Sequence, residues 1–411
     1  MTTVRIGLIG KTNTGKTTFF NSATSMNAEV SNYSFTTKSP NTGIGRAATI
    51  CVHRELGLKD DNPKNSRCVD GWRMITIEII DLPGLIKGAW QGKGLGNQFL
   101  SIAAQSDALL HVVDASGSID IDGKIASPGA GDPVADIQDI EEELAMWYLK
   151  LFDNSYDKIA RMVKASPTND LAQVISEQLT SVGVKRPHVV ETMNKLKLYE
   201  NVEAWTGDQR REFAWTLREV SKPTLIVANK MDVPEAAKNF GRIRESYHDM
   251  IVVPASAESE LTLRRAEQSG VIKYHPGEER FDIVKGAQLN DKQTKALEHI
   301  SKAILGEYLR TGVQFALNVA VFKLLRMNTI YPVSDPSKFS DNSGNVLPDV
   351  YLMPTGSTVT DLATVIHSDL ARGLIYAVDA RSGLRLPVDY HLKDRDVLSI
   401  VSATKKVETR K

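Results

Sequence analysis

Short apolar runs alternate along this chain with stretches whose apolar residues recur at helical spacing. Runs typical of buried strands lie at residues 4–9, 44–52, 74–80, 108–113, 224–228 and 251–254. Residues 17–23, 97–105 and 260–269 favour helices between them. Strands that alternate with helices predict an α/β fold with a doubly wound, largely parallel sheet. The alternation in residues 44–52 and 74–80 also predicts that these two strands form an antiparallel pair.

The pattern changes between residues 118 and 221, where helical spacing dominates. The first predicted helix carries an apolar face of Ile137, Ile140, Leu144, Trp147 and Leu151. Thr168 or Asn169 can cap a second helix and Pro187 can open a third, while Thr206 with Gln209 gives a capping box for a fourth. We therefore expect a helical insertion within the α/β domain.

The C-terminal quarter has a third pattern. Asn290 with Gln293 predicts the start of a helix that Gly312 closes. Short β-like runs follow at residues 317–324, 346–352, 374–378 and 397–401, with a helix over 359–370, so we expect a separate α+β module. The predicted domains are residues 1–117 and 222–288 for the α/β domain, 118–221 for the insertion, 289–312 for a connecting helix and 313–404 for the module.

Composition narrows the choice of function. Of 411 residues, 42% are hydrophobic and 24% charged, enough for a large core. Lys+Arg and Asp+Glu are both 50, which argues against a globally basic nucleic-acid binder, and we expect no DNA partner. Cys51 and Cys68 are too few for a cysteine metal quartet or a disulfide framework and suit a reducing cytosol. The chain enters a strand at once and has no bilayer-length apolar run, so we expect a cytoplasmic protein without a membrane partner.

Residues 10–17 carry the strongest chemical signal in the chain. They read Gly, four residues, then Gly-Lys-Thr, between a predicted strand and a predicted helix, which is the context of a phosphate-binding P-loop. The glycines let successive backbone N–H groups face one anion, and the helix N-terminus adds positive potential. Lys16 can reach the β and γ phosphates, and the Thr17 hydroxyl can ligate Mg²⁺.

Two further motifs fit a nucleotide and its metal. Asp81 and Gly84 form an Asp-x-x-Gly sequence after a strand, where the carboxylate can hold Mg²⁺ through water and the glycine N–H can face the γ-phosphate. Thr36 and Thr37 lie between the P-loop helix and the second strand, and one of them is expected to complete the Mg²⁺ ligands.

A base-reading loop is predicted at Asn229-Lys230-Met231-Asp232. The Asp232 carboxylate can accept two hydrogen bonds from guanine, whereas adenine has no matching pair of donors. Ser256 and Ala257 follow the last strand, where a backbone N–H can reach the guanine O6. The predicted nucleotide-binding residues are Gly10, Asn13, Thr14, Gly15, Lys16, Thr17, Thr18, Asn229, Lys230, Asp232, Ser256 and Ala257.

The order of these motifs is that of a translation-factor-class GTPase, and residues 33–37, 81–89 and 92–100 resemble the Obg family. Residues 353–363 and 366–370 are similar to a TGS domain, a β-grasp module. The resemblance implies a Ras-like P-loop NTPase domain with a helical insertion and a C-terminal TGS domain. It also implies a GTP-binding protein that hydrolyses GTP to GDP as a molecular switch, with the ribosome, rRNA or tRNA as partner.

The resemblance assigns further roles. Thr37 is the expected switch threonine, so the predicted metal ligands are Thr17, Thr37 and Asp81, and the predicted catalytic residues are Asn13, Lys16, Thr37 and Gly84. Leu85 stands where many small GTPases have a glutamine that orients water. In GTPases that resemble this chain, an asparagine at the position of Asn13 helps to bind K⁺, so K⁺ is a second candidate ion beside Mg²⁺.

Two alternatives stay open. YchF proteins of the same branch prefer ATP because their Asn-Lys-x-Asp sequence is altered; that sequence is intact here, which favours GTP, but an ATPase is the first alternative. The second is a nucleotide-gated ribosome-binding scaffold with little turnover. In each case we expect the glycine-rich residues 84–96 to transmit the nucleotide state to the insertion.

Overall fold

A computed structural model describes residues 3–24, 26, 40–85, 87–92, 96–121, 123–165, 170–198 and 202–403. The strands are β1 Arg5–Ile9, β2 Asn41–Ile50, β3 Ser66–Val69, β4 Trp72–Asp81, β5 Ala108–Asp114, β6 Thr224–Asn229, β7 Val252–Pro254, β8 Ile272–Lys273, β9 Asp282–Ile283, β10 Met327–Pro332, β11 Tyr351–Pro354, β12 Leu374–Asp379, β13 Arg385–Leu386 and β14 Val397–Ser402.

The helices are α1 Lys16–Thr24, α2 Val52–Glu55, α3 Gly96–Ala104, α4 Pro133–Ala165, α5 Leu171–Gln178, α6 Arg186–Leu196, α7 Gly207–Ser221, α8 Ala236–Ser246, α9 Ala257–Gln268, α10 Asp291–His299, α11 Gly306–Tyr308, α12 Val313–Asn318, α13 Val359–Ile366 and α14 Ser368–Arg372. Two π-helical stretches, Ile300–Leu305 and Val319–Leu324, follow α10 and α12. None of the described helices is both long and apolar enough to span a bilayer.

The chain divides into two compact units. The larger unit comprises Arg5–Gly43 and Ile79–Ala316, and the smaller one comprises Met1–Val4, Ile44–Glu78 and Leu317–Lys411. The smaller unit therefore takes a segment that the sequence analysis placed in the α/β domain, and the predicted domain bounds stay predictions.

The larger unit is built on a sheet in the order β2-β4-β1-β5-β6-β7, to which β2 and β4 contribute only their ends near Gly43 and Ile79. β1, β5, β6 and β7 pair in parallel. Every residue of β5 and β6 is buried, as their continuous apolar runs require for strands covered on both faces. The predicted parallel α/β sheet is confirmed.

Helices α4 to α7 form the helical insertion. Its core includes a cluster of aromatic rings, in which the ring of Phe213 lies 5.0 Å from that of Phe152 and 4.9 Å from that of Trp205. The predicted capping box is confirmed, since Thr206 and Gln209 each bond the other's backbone N–H. The predicted caps Thr168 and Asn169 lie outside the described residues; the N-cap of α5 is Asp170, whose carboxylate accepts from the Ala172 N–H.

The smaller unit contains a five-stranded sheet in the order β11-β10-β14-β12-β13, with α13 on one face. It also contains the antiparallel pair of β3 and β4, which runs from Ser66 opposite Ile75 to Val69 opposite Trp72. β3 is not among the strands that the sequence pattern predicts.

One element of the predicted C-terminal module is wrong. Residues 317–324 were expected to form a strand, but they are helical in α12 and the following π-helical stretch. Val319, Ala320 and Val321 are all buried, so this stretch does not show the alternation of a half-buried strand. The strand is β10, which begins immediately after this helix.

Candidate nucleotide-binding site

The ends of the parallel strands bring the motifs of the larger unit to one edge of the sheet. Gly10 follows β1, Asp81 ends β4, Asp114 ends β5, Asn229 ends β6 and Ser256 follows β7. The carboxyl edge of a doubly wound sheet is where such folds bind ligands. The sequence therefore places its polar side chains at the edge where they can act together.

The P-loop approaches its neighbours so closely that two glycines are required. At Gly15, where φ is +94°, a Cβ would lie 2.3 Å from the Asn229 amide nitrogen. At Gly84, a Cβ would lie 2.8 Å from the backbone nitrogen of Thr12. Side chains at either position would displace the loop, so the glycines set its distance from β6 and from the Asp-x-x-Gly loop.

Lys16 is a buried cation directed back along the P-loop. It is only 6% exposed, and its ammonium donates to the carbonyl oxygens of Gly10 at 3.1 Å and Lys11 at 2.6 Å. Burial lowers its pKa to about 8, against the opposing charge of Asp81. An ammonium held by neutral carbonyls in a dry pocket attracts an anion strongly, as phosphate binding requires.

Asp81 and Thr17 form the predicted metal pair. The Thr17 hydroxyl donates to Asp81 Oδ2 at 2.7 Å, and the Asn41 amide lies 3.4 Å from the same oxygen. The other oxygen, Oδ1, is buried without a hydrogen-bond partner, and burial raises the pKa of this carboxyl. A buried carboxylate oxygen with no donor fits a cation or its bound water, so the residues present suit Mg²⁺.

Asn229 joins three segments of the site. Its amide nitrogen donates to the Thr14 carbonyl at 2.9 Å, and its amide oxygen accepts from the Ala257 N–H at 3.0 Å. One buried side chain thus fixes the P-loop against the loop after β7. The rest of the base-reading sequence is positioned from that anchor.

Lys230 and Asp232 have separate supports. The Lys230 ammonium lies 2.8 Å from Asp114 Oδ2, which holds the lysine stem beside the end of β5. The Ser256 hydroxyl donates to Asp232 Oδ1 at 2.6 Å and caps α9. This bond orients the carboxylate.

Helix α4 of the insertion contacts the P-loop. The Lys11 ammonium lies 2.7 Å from Asp136 and 2.8 Å from Asp139. Burial alone would lower the pKa of Lys11, but the two carboxylates together have the larger effect, so its pKa is raised. The same helix binds the loop after Gly84, because Glu143 accepts from the Gly88 N–H at 2.5 Å and the Trp90 N–H at 3.0 Å.

Other predicted residues are placed as follows. Asn13 has a backbone φ of 63°. Its side-chain amide donates to the Gly123 carbonyl at 3.0 Å. Thr18 lies in the first turn of α1, and Leu85 is 3% exposed. Thr36 and Thr37 lie outside the described residues.

Sequence reasoning missed five supports of the site: Asp114, Gly123, Asp136, Asp139 and Glu143. Asp114 carried a signal, since it ends a buried strand in an Asp-Ala-Ser sequence. Glu143 carried none, because it is one of three consecutive glutamates and only burial separates it from exposed Glu142.

Comparisons with known families agree with this geometry. Residues 5–149 match the family model described as 50S ribosome-binding GTPase, residues 227–335 match "Obg-like GTPase YGR210-like, G4 motif-containing domain", and residues 343–402 match the TGS domain.

Individual relatives cover between about two thirds and nearly all of this chain. GTP-binding protein MJ1332 of Methanocaldococcus jannaschii is 42% identical over 97% of this chain and 99% of its own. Ribosome-binding ATPase YchF of Bacillus subtilis is 32% identical over 64% of this chain and 68% of its own. The crystal structure of a GTP-binding protein from Pyrococcus horikoshii OT3 superposes with a TM-score of 0.77 at 35% identity, covering 97% of this chain and 100% of that one.

This chain has full-length relatives and a TGS match at its C-terminus. It also brings a P-loop, an Asp-x-x-Gly sequence and an Asn-Lys-x-Asp sequence to one sheet edge. This chain therefore belongs to the Obg-like, YchF-related family of P-loop GTP-binding proteins with a C-terminal TGS domain.

Proposed function

We propose that this protein binds GTP with Mg²⁺, hydrolyses it to GDP and phosphate, and acts as a molecular switch at the ribosome in the cytoplasm. The observation that carries the choice of GTP is the intact base loop. Asp232 is oriented by Ser256, and Asn229 ties that loop to the P-loop. A carboxylate held in this way suits the paired donors of guanine and disfavours adenine, which would leave it unpaired.

The metal would be held by Thr17 and Asp81, with Thr37 as the proposed third residue. Mg²⁺ supplies charge that offsets the β and γ phosphates. The chain's own contribution is Lys16, which holds a positive charge beside the same phosphates, and the Gly84 N–H, which we assign to the γ-phosphate.

Hydrolysis needs a group that Leu85 cannot provide, because a buried leucine cannot orient water. We propose that Asn13 helps to bind K⁺, which supplies positive charge next to the phosphates. GTP turnover is then expected to be faster in K⁺ than in Na⁺ buffer. Equal turnover in the two buffers would exclude this role.

Binding of labelled GTP and ATP analogues with Mg²⁺ tests the base assignment. We expect selective GTP binding in the wild type and its loss in Asp232→Ala. Asp249→Ala is the matched control, since Asp249 is a highly exposed aspartate of the same unit. ATP binding equal to or stronger than GTP binding would instead favour the YchF-type ATPase, which the name of the B. subtilis relative supports.

The ribosome is proposed as partner because the YchF relatives are named as ribosome-binding. Cosedimentation with ribosomes should be stronger with a non-hydrolysable GTP analogue than with GDP. Nucleotide-dependent cosedimentation without multiple turnover would identify the scaffold alternative. Equal cosedimentation with the GTP analogue and with GDP would contradict the role of a molecular switch.

A further inference from the structure

Four metal-ligating side chains meet in the smaller unit, outside the nucleotide site. Cys51 precedes α2, His53 lies in α2, Asp61 lies in the loop before β3, and Cys68 lies on β3. One ligand atom from each residue lies within 4.8 Å of every other. The proposed nucleotide chemistry does not use these residues.

Three of the six separations between these atoms match the edges of a tetrahedron around zinc, and all six are within 4.8 Å. His53 Nδ1 lies 3.6 Å from Cys68 Sγ and 3.5 Å from Asp61 Oδ2, and Cys51 Sγ lies 3.1 Å from the same oxygen. Zinc bonds of about 2.3 Å to sulfur and about 2.0 Å to nitrogen or oxygen give edges of roughly 3.5 Å for sulfur–nitrogen and sulfur–oxygen pairs and roughly 3.3 Å for nitrogen–oxygen pairs. These three pairs therefore lie within a few tenths of an ångström of the distances that zinc requires.

A buried arginine supports the cluster. Arg73 is 0% exposed and donates to Asp61 Oδ2 at 2.8 Å, to Cys51 Sγ at 3.3 Å and to the Ser66 hydroxyl at 3.0 Å. Hydrogen-bonding partners of this kind fix the orientation of metal ligands. Two thiolates, one carboxylate, one guanidinium and one divalent ion together carry no net charge, which suits a buried site.

We propose that Cys51, His53, Asp61 and Cys68 form a structural zinc site. Four protein ligands leave no open position, so the ion would hold the turn at Cys51 and the loop at Asp61 against β3 rather than catalyse a reaction. Binding replaces the two thiol protons, which leave to solvent, with two zinc–sulfur bonds. No electrons are exchanged.

The first experiment measures zinc in the full-length, tag-free protein purified under reducing conditions with zinc in the growth medium. We expect about one zinc per chain, and thiols that react with a thiol reagent only after chelation. Replacement of zinc by Co²⁺ should give the visible bands of a tetrahedral cobalt–thiolate centre, a readout that depends on no variant. Zinc-free protein with two reactive thiols, or a Cys51–Cys68 disulfide, would overturn the proposal.

Variants test the ligand set. Cys68→Ser and His53→Ala should each lose the bound zinc and the cobalt bands. Ser66→Ala is the matched control, because it removes a partner of Arg73 and leaves all four ligands in place; it should retain the metal. Zinc retained at full stoichiometry in Cys68→Ser would show that the ion binds elsewhere.

Discussion

Replacing Glu143 with glutamine should loosen the loop that follows Gly84. Both carboxylate oxygens of the buried Glu143 accept backbone N–H groups, from Gly88 at 2.5 Å and Trp90 at 3.0 Å. Glutamine keeps one acceptor oxygen and turns an NH₂ group toward the other N–H, so one bond is lost and the other becomes a neutral pair. A hydrogen bond to a charged group contributes about 1.5–3 kcal/mol, which gives a total loss of about 2–3 kcal/mol.

Amide hydrogen exchange measures this loss at the two N–H groups. The exchange of Gly88 and Trp90 should accelerate roughly 30- to 150-fold in Glu143→Gln, which corresponds to about 2–3 kcal/mol of local opening free energy. Glu142→Gln is the matched control, because this neighbouring glutamate is exposed. Unchanged exchange at both amides in Glu143→Gln would refute the reasoning, since it would mean that the carboxylate does not hold the loop.

Three further changes have defined outcomes. Lys16→Met should abolish GTP binding yet stabilise the ligand-free protein at pH 7 by about 3 kcal/mol, because burial lowers the pKa of Lys16 from the ordinary lysine value of 10.5 to about 8. Between these two pKa values the unfolded chain holds more protons than the folded chain, so the stability of the wild type should rise with pH through that window in thermal melts. Lys222→Met is the control, because it removes another lysine whose pKa burial lowers to about 8; it should gain stability but keep GTP binding. Arg218→Met should cost about 3–5 kcal/mol in urea unfolding by leaving Glu141 buried without its cation, and adding Glu141→Gln should recover most of the loss. Asp81→Asn should raise the Mg²⁺ concentration needed for binding of a GTP analogue about 10- to 100-fold, whereas an unchanged Mg²⁺ titration would exclude a metal role for Asp81.

The parallel sheet and its loops could be predicted because their signals are local. A buried strand is a continuous apolar run, and the chemistry lies in the few residues that follow it, as with Gly10 after β1 and Asn229 at the end of β6. The edge at which these loops meet then follows from the parallel arrangement. The sequence was therefore sufficient to bring the P-loop and the base loop together.

The missed features depend on tertiary contacts. Counting two cysteines excluded a cysteine quartet, but it could not show that Cys51 and Cys68 approach His53 and Asp61 once β3 pairs with β4. The helix at residues 317–324 was missed because its β-branched valines favour strands locally, and because Val319, Ala320 and Val321 are buried in succession, so no helical period marks it.

Helix α4 extends from the nucleotide site far into the insertion. It runs for 33 residues from Pro133 to Ala165, and its hydrogen bonds and ion pairs to the P-loop and to the Gly88 loop fall between Asp136 and Lys150. The remaining part extends about 23 Å beyond Lys150 at 1.5 Å per residue. A tilt of about 5° at the nucleotide end would move the far end of the helix by about 2 Å. Small displacements next to the phosphates would thus be magnified at the tip of the insertion, where a partner could detect them.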